Sequence, residues 1–348
     1  MSVDPPFLNT FLKTLLNKPL SSPARRDFLR GGLAALVTAE FTAPAHASAA
    51  IETLRLLCTG PGGSIPDTVA RRSAEQLTGA HAQRVWVDNR PGAAGQIAIS
   101  ALMAAPADGS TLLLAQGAIA TVYPSLYPKL AYDPAVDLQP VSLAGEMTLG
   151  LAVGPAVPAA VTTLPELVDW MRRHPQLANV GSPGIGTLPH LLAVMLFQQA
   201  GVGWQHISYA GGPPALVDLM GGQIAALVLP EGLLRQQMAS GRLRVLATSG
   251  AARTVQLPEV PSLAEAGFPG MVVREWFAFF MPGRTSGARV EAASAALRTA
   301  LAKPELMQAF AELGMVAASS TPAALTARIA AEQRVWAPIV RATGIRAE

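Results

Sequence analysis

The chain has 348 residues, of which 50% are hydrophobic, 14% charged and 5% aromatic, with 31 glycines and 29 prolines. This composition is typical of a compact, turn-rich α/β protein and excludes a disordered chain or a disulfide-stapled miniprotein. The formal net charge is +3, and no run of five or six lysines and arginines occurs, so nucleic acid is not expected as a partner.

The first 47 residues have the pattern of an export signal. An Arg-Arg pair at 25–26 is followed by Phe-Leu, a weakly apolar stretch and the small-residue motif Ala-His-Ala at 45–47. We therefore predict a twin-arginine signal peptide over 1–47 and a periplasmic mature chain that begins near Ser48. An amphipathic N-terminal helix of a cytosolic protein is the alternative. No apolar segment reaches the ~18–20 residues of a membrane span, so the mature chain is not expected to insert into a membrane.

Short apolar runs then alternate with helical patterns. The runs predict strands over 54–58, 84–87, 111–114, 149–153, 224–228 and 243–247. Helical periodicity predicts helices over 68–77, 96–104, 164–174, 189–200, 215–220 and 233–239. Such alternation is typical of parallel sheets with helices on both faces, which places the chain in the α/β class.

Three Ala-rich helical patterns and a single cysteine complete the organisation. The helical patterns cover 289–302, 305–313 and 323–341, and we expect them to pack on the outside of one sheet. Cys58 ends an apolar run and has no cysteine partner, so it is predicted to be a buried core residue.

Two loops of similar sequence each follow a strand and open a helix. Residues 63–66 (Gly-Ser-Ile-Pro) and 186–189 (Gly-Thr-Leu-Pro) share a glycine, a hydroxyl residue suited to capping, an aliphatic residue and a proline of the first helical turn. Asp67 stands at a capping-box-like position, three residues after Ser64. Because helix N-termini attract anions, the pair predicts a clamp for a carboxylate or phosphate; ordinary strand-to-helix turns are the alternative.

The motifs of common enzyme classes are missing. The sequence contains no GxxxxGK[ST], no complete GxGxxG, no GxSxG and no HExxH. Carboxylates are scattered singly and the histidines lack metal-ligand spacing, so no catalytic residue, metal site or cofactor is predicted. His190, at the start of the second helix, either orients its loop through a hydrogen bond or contacts a ligand directly.

Beyond the two loops, a collinear set of motifs resembles one family. The set runs from about residue 52 to 346 and comprises 60–64 (Gly-Pro-Gly-Gly-Ser), 88–95 (Asp-Asn-Arg-Pro-Gly-Ala-Ala-Gly), 105–113, 124–127, 132–134, 184–187 with His190, 209–215, 221–223 and 257–267. It is similar to the tripartite tricarboxylate transporter substrate-binding proteins, the Bug family of periplasmic solute receptors. The resemblance implies a type II periplasmic-binding-protein fold, in which two α/β lobes joined by two hinge crossings close over one ligand.

The resemblance also implies lobe boundaries and partners. Residues 48–149 and 277–348 would form lobe 1, and residues 150–276 lobe 2. The ligand would be a small organic acid, delivered to the membrane permease subunits of a tripartite tricarboxylate-type transporter. A ligand-sensing subunit for a signalling kinase is the alternative, whereas the missing catalytic constellation argues against an enzyme.

In that family the loop after the first strand and the Gly-Thr loop of the second lobe hold a ligand carboxylate, partly through ordered water. Water-mediated contacts of this kind are nearly as favourable as direct ones. Carried over to this sequence, the resemblance implies that the ligand-binding residues are Gly62, Gly63, Ser64, Asp67, Ser182, Gly184, Gly186, Thr187, His190, Tyr209 and Glu231.

Three departures from the family pattern bear on the ligand. Leu229 stands where many relatives have an aspartate, which puts recognition of a ligand amino group there in doubt; Glu231 either substitutes for it or begins the next helix. Ile65-Pro66 replaces a common Gly-Thr and makes the pocket floor more apolar. Glu275 replaces a small residue before Trp-Phe. A carboxylate at the rim would repel citrate, which favours a mono- or dicarboxylate, aromatic acids included.

Overall fold

The structure, a computed structural model, describes residues 51–347, so the predicted signal peptide lies outside the described residues. The strands are β1 (Ile51–Cys58), β2 (Ala82–Asn89), β3 (Thr111–Gln116), β4 (Leu138–Val153), β5 (Asn179–Ser182), β6 (Gln205–Ser208), β7 (Ala226–Pro230), β8 (Arg244–Thr248), β9 (Arg274–Pro282) and β10 (Met315–Ala317). The helices are α1 (Ile65–Leu77), α2 (Gln96–Met103), α3 (Ala118–Thr121), α4 (Tyr123–Leu126), α5 (Pro134–Asp137), α6 (Leu164–Arg173), α7 (Leu188–Gln199), α8 (Gly212–Met220), α9 (Glu231–Met238), α10 (Gly287–Leu301), α11 (Pro304–Glu312) and α12 (Pro322–Thr343).

The strands form a sheet in the order β2-β1-β3-β9-β4-β7-β5-β6, with β8 and β10 paired to β4. β1 runs parallel to β2 and β3, and β5 runs parallel to β6 and β7. Leu56, Leu57 and Cys58 of β1 are all buried, because helices cover both faces of this part of the sheet. The predictions of an α/β fold and of a buried Cys58 are confirmed.

The centre of the sheet is not parallel, so that part of the prediction is wrong. β9 lies between β3 and β4 and runs antiparallel to both, and β4 runs antiparallel to β7 and β8. The sequence patterns predict no strand at β9, β5 or β10, and they predict only the last five residues of β4. Antiparallel central strands join the two halves of the sheet without a helix between them.

β4 carries the chain from one half of the sheet to the other. It pairs with β9 as far as Thr148 and with β7 from Leu149 onward. The chain returns through Val273 into β9. The buried Ser249 side chain accepts a hydrogen bond from Leu149 N (3.0 Å) and donates one to Val273 O, which ties the two crossings together.

Two apolar clusters lie on opposite faces of the sheet around β1, β3 and β9. On one face, α1, α10 and α11 pack over Leu56 and Phe279; on the other, α2, α3, α4 and α12 pack over Leu57 and Phe280. The three C-terminal helices therefore pack on one sheet, as predicted, but they divide between its two faces. In residues 51–347, no helix combines the length and hydropathy that crossing a membrane requires.

Local capping explains where several helices begin. The side chains of Thr163, Thr187 and Thr321 accept a hydrogen bond from the first turn of α6, α7 and α12, and each of these helices has a proline at its first or second position. Glu166 completes a capping box at α6. These caps position the loops that precede the helices, and the loop before α7 belongs to the site described next.

Candidate binding cavity at the carboxyl ends of the strands

A cavity of about 970 Å³ opens at the carboxyl ends of strands from both halves of the sheet. Its wall is formed by the loops that follow β1, β2, β5, β6 and β7, together with Gln116 of β3 and Glu275 and Phe277 of β9. Crevices at the carboxyl ends of strands are the usual ligand sites of open α/β sheets. Of the described residues in this wall, none is a lysine, arginine or histidine, and Glu275 is the only one with a carboxyl group.

The loop after β1, residues 59–64, is held from behind by charged and amide groups. The buried Asp67 carboxylate accepts hydrogen bonds from Gly63 N (2.9 Å), Arg71 Nε (3.1 Å) and Asn89 Nδ2 (2.9 Å). Burial raises the pKa of Asp67, but these hydrogen bonds outweigh it and leave the pKa below its usual range. Asp67 therefore stays ionised at neutral pH and fixes the backbone of Gly63, which has a φ of +79°.

The predicted capping chemistry of this loop is wrong in detail. The Ser64 hydroxyl donates to Pro61 O (2.6 Å) instead of capping the first turn of α1. Asp67 bonds to Gly63 N, not to Ser64 N as a capping box requires. With the Ser64 hydroxyl bonded elsewhere, the first N–H groups of α1 gain no partner from it and lie beside the cavity, which Ser64 and Ile65 line.

The loop after β5, residues 183–187, is held by hydrogen bonds of uncharged groups. The Thr187 hydroxyl donates to Gly184 O (2.8 Å) and accepts from His190 N (3.5 Å), and it caps α7 as predicted. Gly186 N donates to His190 Nδ1 (3.1 Å). Gly186 has a φ of +76°, and a Cβ at this position would lie 2.3 Å from Leu126 Cδ2, so any other residue would strain the backbone and displace the Leu126 side chain.

Two stacked imidazoles support this second loop. The rings of His190 and His206 lie 3.8 Å apart and nearly parallel, and His206 Nε2 is 2.8 Å from the Ser182 hydroxyl. Burial and the neighbouring His206 lower the pKa of His190 to about 4, so the ring is neutral at pH 7 and its Nδ1 accepts the Gly186 N–H. Of the two alternatives for His190, the structure has the one in which it orients the loop.

The two remaining predicted side chains differ in their access to the cavity. Tyr209 lines the wall, and its hydroxyl donates to Asp218 Oδ2 (2.8 Å). Glu231 is buried outside the wall, where it begins α9 and accepts a hydrogen bond from Thr254 Oγ1 (2.9 Å). Burial raises the pKa of Glu231. Leu229, which stands where many relatives have an aspartate, does line the cavity.

Five of the eleven predicted residues line the cavity: Gly63, Ser64, Gly184, Thr187 and Tyr209. The other six lie outside its wall: Gly62, Asp67, Ser182, Gly186, His190 and Glu231. Four of these six are hydrogen-bonded within or behind the two loops: Asp67, Ser182, Gly186 and His190. The sequence patterns thus select two loops that line the cavity, although several of the selected side chains orient the loops instead of facing the cavity.

Glu275 is not at the rim, and the prediction of a repulsive rim carboxylate is wrong. The residue is 5% exposed and forms part of the cavity wall. Burial, together with the negative charge of Glu332, raises the pKa of Glu275 to about 8, so its carboxyl group is largely uncharged at pH 7. It therefore exerts no repulsion of the expected kind on a bound anion.

A third loop, after β2, was not predicted as part of the site. Gly92, Ala93, Ala94 and Gly95 all have positive φ values and all line the cavity, and α2 begins directly behind them. Positive φ is costly for alanine. Ala94 O accepts hydrogen bonds from Gln116 Nε2 (3.2 Å) and Tyr123 OH (3.1 Å), which hold the strained turn. The only signal was the Asn-Arg-Pro-Gly-Ala-Ala-Gly motif at 89–95.

The arrangement suits an anion more than any other charged group. Five helices of eight or more residues, α1, α2, α7, α8 and α9, begin at the wall, and each carries a partial positive charge at its N-terminus. Among the described residues, no group of three or more histidine, cysteine, aspartate or glutamate side chains is placed to hold a metal ion. The larger part of the wall surface is apolar, with Ile65, Leu229 and Phe277 among its residues.

The antiparallel crossing strands and the cavity between the two halves of the sheet define the class of the periplasmic binding proteins. The model of the tripartite tricarboxylate transporter family receptor, TctC, matches residues 69–345. The protein therefore belongs to this receptor family, and the family and fold predicted from the sequence motifs are confirmed.

Individual relatives agree with this assignment. Protein BugT of Bordetella pertussis (strain Tohama I) is 33% identical over 316 residues, which are 90% of this chain and 94% of BugT. The periplasmic binding protein BugD has a similar structure, with a TM-score of 0.78, 26% identity, and coverage of 85% of this chain and 99% of BugD. Rpa4515 of R. palustris with adipate gives a TM-score of 0.79 and 26% identity over 85% of this chain and 98% of Rpa4515.

Proposed function

We propose that this protein is a periplasmic receptor that binds a small organic carboxylate and delivers it to the membrane permease of a tripartite tricarboxylate-type transporter. The observation that carries the carboxylate assignment is the composition of the cavity wall. Five helix N-termini and two firmly oriented loops supply backbone N–H groups, whereas none of the described residues in the wall has a cationic side chain. An anion with a small, hydrogen-bonding head and an apolar remainder is the complement of such a wall.

The expected strength of the interaction is adequate for a receptor. Each hydrogen bond from an N–H group to a carboxylate contributes roughly 1.5–3 kcal/mol. Three or four such bonds from the loops at Gly63 and Thr187 account for much of the ~8 kcal/mol of a micromolar complex. The structure of Rpa4515, which contains adipate, supports a carboxylate as the ligand class.

The ligand is enclosed by movement of two lobes, residues 48–149 with 277–348 and residues 150–276. The lobes turn about the two crossings that Ser249 ties together at Leu149 and Val273. Five predicted residues that line the wall contact the ligand directly or through water, and Asp67 and His190 keep their loops in position. The signal sequence over residues 1–47 directs the chain to the periplasm by the twin-arginine pathway.

The carboxylate assignment is tested by calorimetry on the exported protein with hexanoate and with hexanamide, which has the same chain but no charge. We expect hexanoate to bind at least tenfold more tightly, because the helix N-termini favour an anion. Equal affinity for the two probes would contradict the proposal.

Thr187 variants locate the binding site in the same experiment. Thr187→Val removes the hydroxyl that bonds to Gly184 O and His190 N, so we expect hexanoate affinity to fall about tenfold or more. Thr187→Ser keeps this hydroxyl and should bind within about threefold of the wild type. Loss of a cap costs about 1 kcal/mol, so Thr187→Val should also lower the melting temperature by a few degrees. Unchanged hexanoate binding by Thr187→Val would place the carboxylate elsewhere.

A further inference from the structure

Glu275 is a buried carboxyl group in the cavity wall that has no partner among the described residues. It is 5% exposed, and its side chain makes no hydrogen bond or ion pair with any other residue in the range 51–347. It lies on β9 opposite Met147, directly before β4 changes its pairing from β9 to β7. Glu275 therefore belongs to the part of the wall where the two halves of the sheet meet.

The charged groups around Glu275 are already paired with one another. On α12, Arg328 bonds to Glu332 (2.8 Å) and pairs with Glu146 of β4. Glu332 also accepts hydrogen bonds from Trp276 Nε1, and Arg274 of β9 lies 3.8 Å from Glu146.

The remaining titratable neighbours offer no positive charge either. Tyr123 of α4 is a neutral phenol near Glu275, and Glu231 at the start of α9 bonds to Thr254. On β3, the Gln116 side chain is hydrogen-bonded to Thr59, Ala94 O and Tyr123. Among the described residues, the neighbouring groups that could neutralise a carboxylate are thus occupied, which leaves the ligand to supply a charged partner for Glu275.

We propose that the cavity selects a ligand with a carboxylate at one end and a protonated amine at the other, and that Glu275 pairs with the amine. The inference rests on the proposed function for the carboxylate end and adds a second point of recognition. The sequence suggested Glu231 as a partner for a ligand amino group, whereas we assign this role to Glu275, whose carboxyl group lines the cavity.

The alternative occupants of this position fit less well. A second ligand carboxylate would accept a hydrogen bond from the protonated Glu275, but it would also meet the negative charge of Glu332 behind it, without a lysine or arginine in the described wall to compensate. An alkyl end would leave the carboxyl group buried without a partner, which is unfavourable. An ammonium group supplies both hydrogen-bond donors and the missing positive charge.

Binding of the amine involves a proton. Since burial and Glu332 raise the pKa of Glu275 to about 8, the group holds a proton at pH 7 in the empty protein. When the ammonium group binds, the O–H bond of the Glu275 carboxyl breaks, the proton passes to the solvent, and the carboxylate pairs with the intact ammonium. Affinity for an amine-bearing ligand should therefore increase as the pH is raised from 6 to 8, by up to about tenfold per pH unit.

Calorimetry with three matched series of probes tests the inference. The series are 4-aminobutanoate, 5-aminopentanoate and 6-aminohexanoate; the dicarboxylates succinate, glutarate and adipate; and butanoate, pentanoate and hexanoate. We expect one amino acid to bind at least tenfold more tightly than the dicarboxylate and the monocarboxylate of its own length. Its binding should release close to one proton at pH 7, measured by comparing phosphate with Tris buffer, whereas hexanoate should release none.

Two variants assign the effect to one side chain. Glu275→Gln should lose both the preference for the amino acid over the monocarboxylate of its own length and the proton release. Glu231→Gln is the matched control, because Glu231 is buried to the same degree (4% exposed) but lies outside the wall, and it should retain both.

The possible results separate this inference from the proposed function. A preference for dicarboxylates, an amino acid bound without proton release, or an unchanged preference in Glu275→Gln would overturn the inference and leave the carboxylate receptor intact. Failure of all nine probes to bind the wild type would overturn both. If Glu275→Gln fails to fold, the inference is still tested by the proton release of the wild type and by the pH dependence of its affinity for the amino acid.

Discussion

The loops after β1 and β5 have similar sequences and both face the cavity, but they are held in place by different chemistry. Behind the first, the ionised Asp67 binds a backbone N–H group, an arginine and an asparagine amide. Behind the second, the neutral His190 binds a backbone N–H group and stacks on His206. The backbone of each loop is fixed by a hydrogen bond from a glycine N–H to a side chain four residues later.

This difference shows that one local motif can be stabilised by either a charge or a neutral ring. It also gives the two loops different tolerance of acid and of added volume. A carboxylate with a lowered pKa stays ionised to low pH, whereas protonation of a buried imidazole destabilises the folded protein. The first loop is open at its glycine, whereas the second is packed against Leu126.

The glycines of the two loops should respond unequally to substitution. Gly63→Ala and Gly186→Ala both place alanine at a positive φ, which costs roughly 1–2 kcal/mol. At Gly63 the added Cβ meets no atom within 4 Å, but at Gly186 it would overlap the fully buried Leu126, which adds about 1–3 kcal/mol. Thermal melts should show at least twice the loss of stability for Gly186→Ala, and hexanoate affinity should fall most in that variant. Equal losses of stability in the two variants would show that the Leu126 side chain moves aside at little cost.

Of the two loops, only the second should be destabilised by acid between pH 6.5 and about 4. The pKa of His190 falls from an ordinary 6.5 to about 4 on folding, because of burial and the nearby His206. In this interval His190 binds more protons in the unfolded chain than in the folded one, so its contribution to the free energy of unfolding decreases as the pH falls, by up to about 1.4 kcal/mol per unit, whereas Glu275, with its raised pKa, contributes in the opposite direction. The lowered pKa of Asp67 confines the contribution of the first loop to more acidic solution.

His190→Gln isolates this contribution, because the glutamine oxygen can accept the Gly186 N–H but does not titrate. Urea unfolding at pH 7 should show the wild type to be more stable than His190→Gln. At pH 4.5 this difference in the free energy of unfolding should shrink or reverse. A difference that is independent of pH would mean that His190 is not the group that titrates.

The two loops could be predicted because their chemistry is local. A glycine, a capping residue and a proline within four positions mark a helix start irrespective of the rest of the fold. The direction of each side chain is not local. The motifs predict that Asp67 and His190 belong to the site, but Asn89 and His206, which are distant in sequence, help to hold the two side chains behind their loops.

The same distinction explains what was missed in the fold. β9 reads Arg-Glu-Trp-Phe-Ala-Phe-Phe-Met-Pro and is buried on both faces, so it lacks the alternation that marks a strand. The first part of β4 contains Pro140 and Gly145, and its pairing with β9 shifts register beside both. Because proline and glycine are unfavourable inside strands, the sequence pattern does not predict a strand here. Without β9 and β4, the sequence could not place Glu275 in the cavity wall.

The most direct test of the account is a crystal structure of the protein with hexanoate bound. The account predicts that the ligand carboxylate lies between the loops at Gly63 and Thr187, about 3 Å from the first N–H groups of α1 and α7 or joined to them by a single water molecule. A carboxylate bound outside the cavity, or inside it without contact to either helix N-terminus, would contradict the account.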